Sequence, residues 1–160
     1  MPTSKSLADI LLTQWLGIRA MTYDYLDMLE PAHLSLTLPF PESRSLGYQF
    51  WCMTGAHESY LKELAHGGWQ GFSCSLDQLK PVTPAIIKSQ MQLADARMAD
   101  LLKTVDLETQ MKNGKYAYAV VQRMIEHEMH HQGQLINFLF CHHLPIPQSW
   151  HEKWALAYDD

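Results

Sequence analysis

A chain of 160 residues can bury one sizeable core and is too short for two ordinary domains, so residues 1–160 read as a single domain. Hydrophobic residues make up 47% and charged residues 18%, the balance of a globular chain and not of a disordered one. A net charge of −5 leaves no basic footprint for phosphates, which excludes nucleic acid as an expected partner.

The stretch Met1-Pro2-Thr3-Ser4-Lys5-Ser6-Leu7-Ala8-Asp9 has no basic segment followed by an apolar run and a small-residue cleavage site. No segment is apolar for the ~18 residues that a membrane span needs, so the expected location is the cytoplasm. The three cysteines, Cys52, Cys74 and Cys141, have no paired spacing and read as reduced thiols. Cys74 lies in a polar loop and reads as a bystander before a nucleophile.

Alternating strand patterns are nearly absent, and several long segments carry the helical period, so the chain reads as all-α. Helix 1 is expected from Ser6, capped in a box with Asp9, to Glu30 before Pro31, with Leu7, Leu11, Ile18, Met21, Tyr25 and Met28 inward. Helix 2 runs from about Ser45 to Ala65 and stops at Gly67-Gly68, with His57 interrupting its apolar face. The irregular stretch from Trp69 to Val82 is long enough to cross from one end of a bundle to the other. Helix 3 opens with Thr83 as cap and Pro84 in its first turn and reaches about Lys103. Helix 4 follows Asn113-Gly114, from about Lys115 to Cys141, and Ser149 to Tyr158 adds a short C-terminal helix. These elements predict a four-helix bundle with a long crossover between helices 2 and 3.

Helix 4 carries His127-Glu128-Met129-His130-His131. Residues four apart share a helix face and stand about 6 Å apart along it, so His127 and His131 can reach one metal ion. Val120, Met124, Leu135 and Phe138 share that face, and burying two imidazoles there is costly unless each finds a partner. With His57 as third ligand the pattern is a mononuclear site with an open position, and imidazoles suit zinc, nickel, iron and copper. A second reading takes the same residues as the His-Glu-x-x-His of zinc peptidases, with Glu128 as general base. Gln134 stands where metzincins want glycine, and no sheet is expected to hold a peptide strand. A third reading, a di-iron carboxylate bundle, uses Glu63-Leu64-Ala65-His66 and Glu128-Met129-His130-His131, but helix 3 offers only Asp95 and Asp100.

With His57 and the helix 4 motif together, the chain resembles the DinB/YfiT-like superfamily. His127-Glu128-Met129-His130-His131-Gln132-Gly133-Gln134-Leu135, then Leu144-Pro145-Ile146-Pro147, is similar to the family's His-Glu-x-x-His-Arg-Gly-Gln segment and proline-containing tail. Ser45-Leu46 and His57 within Gly55-Ala56-His57-Glu58-Ser59-Tyr60-Leu61 carry the match in helix 2. Gln132 stands where the family often has arginine, and His143 falls where a glycine commonly ends helix 4. The resemblance implies a bundle whose second and third helices run in the same direction. It also implies a divalent ion (zinc, nickel or iron) on His57, His127 and His131, and a homodimer. Relatives include thiol-dependent S-transferases and a thiol-dependent isomerase. The expected function is therefore metal-dependent thiol transfer on a small molecule with a low-molecular-weight thiol as co-substrate, Glu128 being the candidate proton acceptor. The alternatives are a hydrolase using Glu128 as base and a non-catalytic metal-binding or dimerisation module.

Overall fold

A computed structural model describes residues 5–158. Met1 to Ser4, part of the N-terminal stretch read for a signal segment, lie outside the described residues. The α-helices are α1 (Leu7–Asp27), α2 (Leu46–His66), α3 (Pro84–Leu101), α4 (Ala117–His142) and α5 (Gln148–Trp154), with 3-10 turns at Pro31–Ser35 and Ser75–Gln78. Among the described residues there is no strand, only an isolated bridge between Gln110 and Tyr116. No helix among them is long and apolar enough to cross a membrane.

The helix starts follow from local chemistry. The Ser6 hydroxyl accepts from the Asp9 amide at 3.1 Å while the Asp9 carboxylate accepts from the Ser6 amide at 3.1 Å, which satisfies two of the donors that a helix N-terminus orphans. Ser45 and Thr83 cap α2 and α3 in the same way through the amides of Tyr48 and Ile86. Gly67 ends α2 in the left-handed region at φ +73°, and His143 ends α4 there at φ +50° without the freedom of a glycine.

Of the expected inner stripe of α1, Leu11, Ile18 and Met28 are half-buried against the core. Met21 and Tyr25 are buried, but Leu7 is exposed, and the face turned inward also carries Trp15, Arg19, Thr22 and Leu26. A stripe drawn through apolar residues alone misses Arg19, which faces the centre of the bundle.

Helix directions follow from side-chain pairs. Trp15 meets Asp95 and Asp27 meets Lys88, so α1 and α3 are antiparallel. Arg19 meets Glu128 and Tyr25 meets the Leu135 carbonyl, so α1 and α4 run together. Gln49 meets His131 and Glu63 meets Arg123, so α2 opposes α4 and therefore runs parallel to α3. Each of α1 and α2 packs on α3 and α4, so that α1 and α2 stand on one diagonal and α3 and α4 on the other. Parallel neighbours cannot be joined by a tight turn, and the stretch from Trp69 to Val82 makes that crossover. It lies close against α2 at Gly55, where a Cβ would collide with the Phe72 ring and come within 2.9 Å of the Cys74 Cβ.

Two apolar clusters fill the bundle. One gathers Tyr25, Phe50, Met91, Leu135, Phe138 and Trp150, and the other Trp15, Leu61, Met98, Val120 and Met124. Along each of the four long helices a polar residue falls between them: Arg19 and Thr22 on α1, His57 on α2, Asp95 on α3 and Glu128 on α4.

Candidate metal centre

Antiparallel packing of α2 on α4 brings one helical turn of each face to face. One donor atom each from Cys52, His127 and His131 lie within 4.8 Å of one another. The Cys52 sulfur is 3.7 Å from Nε2 of His127, and the two imidazole rings are 4.5 Å apart between centroids. His131 is 5% exposed, His127 and Cys52 are half-buried, and Tyr60 flanks His127 edge-on.

Gln49, one turn before Cys52, fixes the orientation of His131: its Oε1 accepts from Nδ1 at 2.8 Å. A proton held on Nδ1 leaves the Nε2 lone pair of the neutral ring free for an ion, the arrangement usual for metal-ligating histidines. Both rings are kept neutral. Burial above all, then His127 and His130, pushes the His131 pKa down to about 3, and burial, His130 and Arg19 lower that of His127. Burial also raises the pKa of the Cys52 thiol. Two neutral imidazoles and a thiol are donors suited to transition metals, so these residues fit a divalent ion such as zinc.

His57 lies elsewhere. It is 2% exposed, packs on Trp15 with the rings tilted and 4.5 Å apart, and stands outside the group of three. Its Nδ1 receives Nη2 of Arg19 at 3.1 Å and lies 3.8 Å from the Asp95 carboxylate. A guanidinium only donates, so Nδ1 is the acceptor and the proton of the neutral ring sits on Nε2. That Nε2 is buried with no hydrogen-bond partner. Burial and Arg19 hold the His57 pKa well below its ordinary range.

Glu128 points away from solvent, at 1% exposed. It accepts from Thr22 Oγ1 at 2.5 Å and lies 3.2 Å from Nη1 of Arg19. Burial raises its carboxyl pKa, and Arg19 and Thr22 pull the other way. Asp95 completes this layer, accepting from Trp15 Nε1 at 2.8 Å and from the Tyr23 hydroxyl. Gln132 donates to the Ile18 carbonyl at 2.9 Å and to Thr22 at 3.1 Å, tying α4 to α1.

Of the residues singled out in the sequence, His127 and His131 are brought together, while His57 and Glu128 join the buried layer around Arg19. Gln49 and Arg19 are not singled out there, Cys52 is taken only as a reduced thiol, and Asp95 is named only as a carboxylate for the di-iron reading. A signal for Cys52 existed: Gln49, Cys52 and Tyr60 share one side of the helical wheel, at the edge of the apolar stripe that turns toward α4.

Beside this centre lies a cavity of about 660 Å³ whose walls include Leu38, Phe40, Arg44, Gln49, Gln134 and Phe138. Gln49 is common to the cavity wall and to the support of His131.

No protein-family model matches the chain, and no curated protein matches it. Among solved structures, it is similar to the crystal structure of a DinB-like protein, YjoA, from Bacillus subtilis. The TM-score is 0.64 at 18% identity, over 86% of this chain and 98% of that one. The all-helical bundle with parallel second and third helices is thus the DinB-like fold.

Proposed function

We propose that the protein binds a divalent metal ion at His127 and His131 and uses it for thiol transfer to a small electrophilic molecule, with a low-molecular-weight thiol as co-substrate. The observation that carries this reading is the pair of neutral imidazoles 4.5 Å apart, one of them aimed by Gln49, at the seam between α2 and α4. When bound, the ion supplies two things: it favours the thiolate of a coordinated thiol, and it polarises an electrophile's carbonyl.

The chain's own residues do the rest. Gln49 holds the His131 ring so that Nε2 faces the seam. The neighbouring cavity, at about 660 Å³, suits a small molecule, with apolar walls at Leu38, Phe40 and Phe138 and polar groups at Arg44, Gln49 and Gln134 to orient it. Glu128 acts in this reading as the partner of Arg19 and Thr22 and not as a base, because its carboxylate is already engaged on the α1 side of α4. The homodimer implied by the family resemblance belongs to the same proposal.

The test is elemental analysis of protein purified without chelator, followed by assay of thiol addition to an electrophilic acceptor with and without chelator. About one ion per chain and a rate abolished by chelation are expected. Less than a tenth of an equivalent counts against the metal. A bound ion with no metal-dependent transfer favours a non-catalytic module. Peptide or ester hydrolysis lost in Glu128→Gln favours the hydrolase.

A further inference from the structure

Two side chains of α2 compete for the third place beside His127 and His131. Cys52 and His57 are five residues apart, about 140° round the helix, so they cannot both face α4. The geometry points to Cys52: we infer that its thiolate, and not an imidazole from α2, completes a Cys-His-His donor set, making this a zinc-class site with one position left for a ligand. The inference rests on the metal-binding reading and specifies it.

Three observations support it. First, zinc bonds of about 2.3 Å to sulfur and about 2.0–2.1 Å to nitrogen, at the tetrahedral angle, separate the two donors by about 3.6 Å. The Cys52 sulfur and His127 Nε2 stand 3.7 Å apart. Second, Gln49 and Cys52 are one turn apart on α2 and meet His131 and His127, one turn apart on α4, so a single face-to-face register aligns the second-sphere partner and the sulfur together. Third, His57 has no lone pair to give. Arg19 donates to its Nδ1, which leaves the proton on Nε2. Freeing Nε2 would turn a protonated Nδ1 toward the guanidinium and break that contact inside a layer closed to water.

The donor set has a chemical consequence. A thiolate contributes a negative charge and a soft donor, which favours zinc, cobalt or copper(I) over the oxygen-loving magnesium, calcium and manganese. It also lowers the ion's net positive charge relative to three imidazoles, which moderates its pull on the electrons of whatever occupies the open position.

Cobalt(II) chloride, titrated into chelator-treated full-length protein, reads the ligand set directly. Sulfur bound to cobalt(II) gives an intense near-ultraviolet charge-transfer absorption that nitrogen ligands do not. The expected result is that band at one equivalent, kept in His57→Ala, and lost in Cys52→Ser with at least ~10-fold weaker binding. Cobalt bound through its visible bands but without the charge-transfer band overturns Cys52 while leaving the metal site standing. A charge-transfer band that survives Cys52→Ser overturns it as well. No binding of cobalt(II) or zinc(II) by the unaltered protein overturns both readings. A measurement on the unaltered chain avoids dependence on the variants' folding. Zinc should slow iodoacetamide alkylation of Cys52 at least ~10-fold while leaving the exposed Cys141 unchanged, as read by peptide mass spectrometry. Equal alkylation of Cys52 with and without zinc, under conditions where zinc binds, rejects the thiolate ligand.

Discussion

Nη1 of Arg19 lies 3.2 Å from Oε1 of Glu128, and both side chains are closed to solvent. The same guanidinium has Asp95 at 3.6 Å and His57 at 3.1 Å, so one cation on α1 serves all three other long helices. Removing it leaves two carboxylates buried without their counter-charge and also takes away a cation held 4.5 Å over the Trp15 ring. Arg19→Met should cost about 3–5 kcal/mol in urea unfolding. A loss below about 1 kcal/mol would mean that the layer is hydrated and the pairing incidental.

The neutral buried histidines make the metal-free protein sensitive to acid. The His131 pKa of about 3 lies below the ~6.5 of an unfolded histidine. Between those values the unfolded chain binds more protons, so stability is complete above about pH 6.5 and falls as pH drops toward 3. At pH 5.5 His131 alone accounts for about 1.4 kcal/mol relative to pH 7.5. His57 and His127 act in the same direction, while Glu128, with its raised pKa, opposes them. Urea melts of chelator-treated protein at the two pH values should show the fall, and His131→Gln should reduce it. Equal stability at both would show that these rings titrate alike in the folded and unfolded states.

Gln49→Leu keeps the side chain's bulk and removes the acceptor on His131 Nδ1. Metal affinity should fall ~10- to 100-fold in competition with a chromophoric chelator, with the helical signal in circular dichroism unchanged. An unchanged affinity would separate Gln49 from the ligand sphere.

His143 holds φ at +50°, where an L side chain is strained and glycine is not. His143→Gly should raise stability by about 0.5–1 kcal/mol by relieving the end of α4. A destabilised variant would show that the imidazole's packing against Tyr158 outweighs the backbone gain.

At Gly55 the expected sign is reversed. A methyl group there meets Phe72 and the Cys74 Cβ, so Gly55→Ala should cost about 1–3 kcal/mol by pushing the crossover off α2. A neutral or stabilising result would mean that the crossover yields at no cost.

The contrast between caps and core shows what the sequence makes legible. Ser6 with Asp9, Thr83 with Pro84, and Gly67 act within one turn of chain, so the starts of α1 and α3 and the stop of α2 can be read from neighbours alone. His127 and His131 are equally local, since four residues on one helix fix their separation. The third side chain at the centre comes from another helix, and its choice depends on the rotation of α2 against α4. A five-residue difference between Cys52 and His57 is a matter of helix phase, which the shared side of Gln49, Cys52 and Tyr60 hints at but does not fix without α4 in place. The buried layer was hidden for a related reason. Glu128 reads as a candidate base and Asp95 as a spare carboxylate, while Arg19 interrupts an apolar stripe, and only their meeting across α1, α3 and α4 makes burial affordable.

Cys52 and His127 meet across 75 residues of chain that include the crossover and all of α3. Anything that bridges them is a removable staple over most of the bundle. Because the two residues come into register only after α2 and α4 have docked, such a staple has little to grip in the folding transition state. Its effect should fall on the rate of unfolding more than on the rate of folding. The site would then serve as a lock on the finished bundle, setting how long a folded molecule lasts and not how quickly one is made.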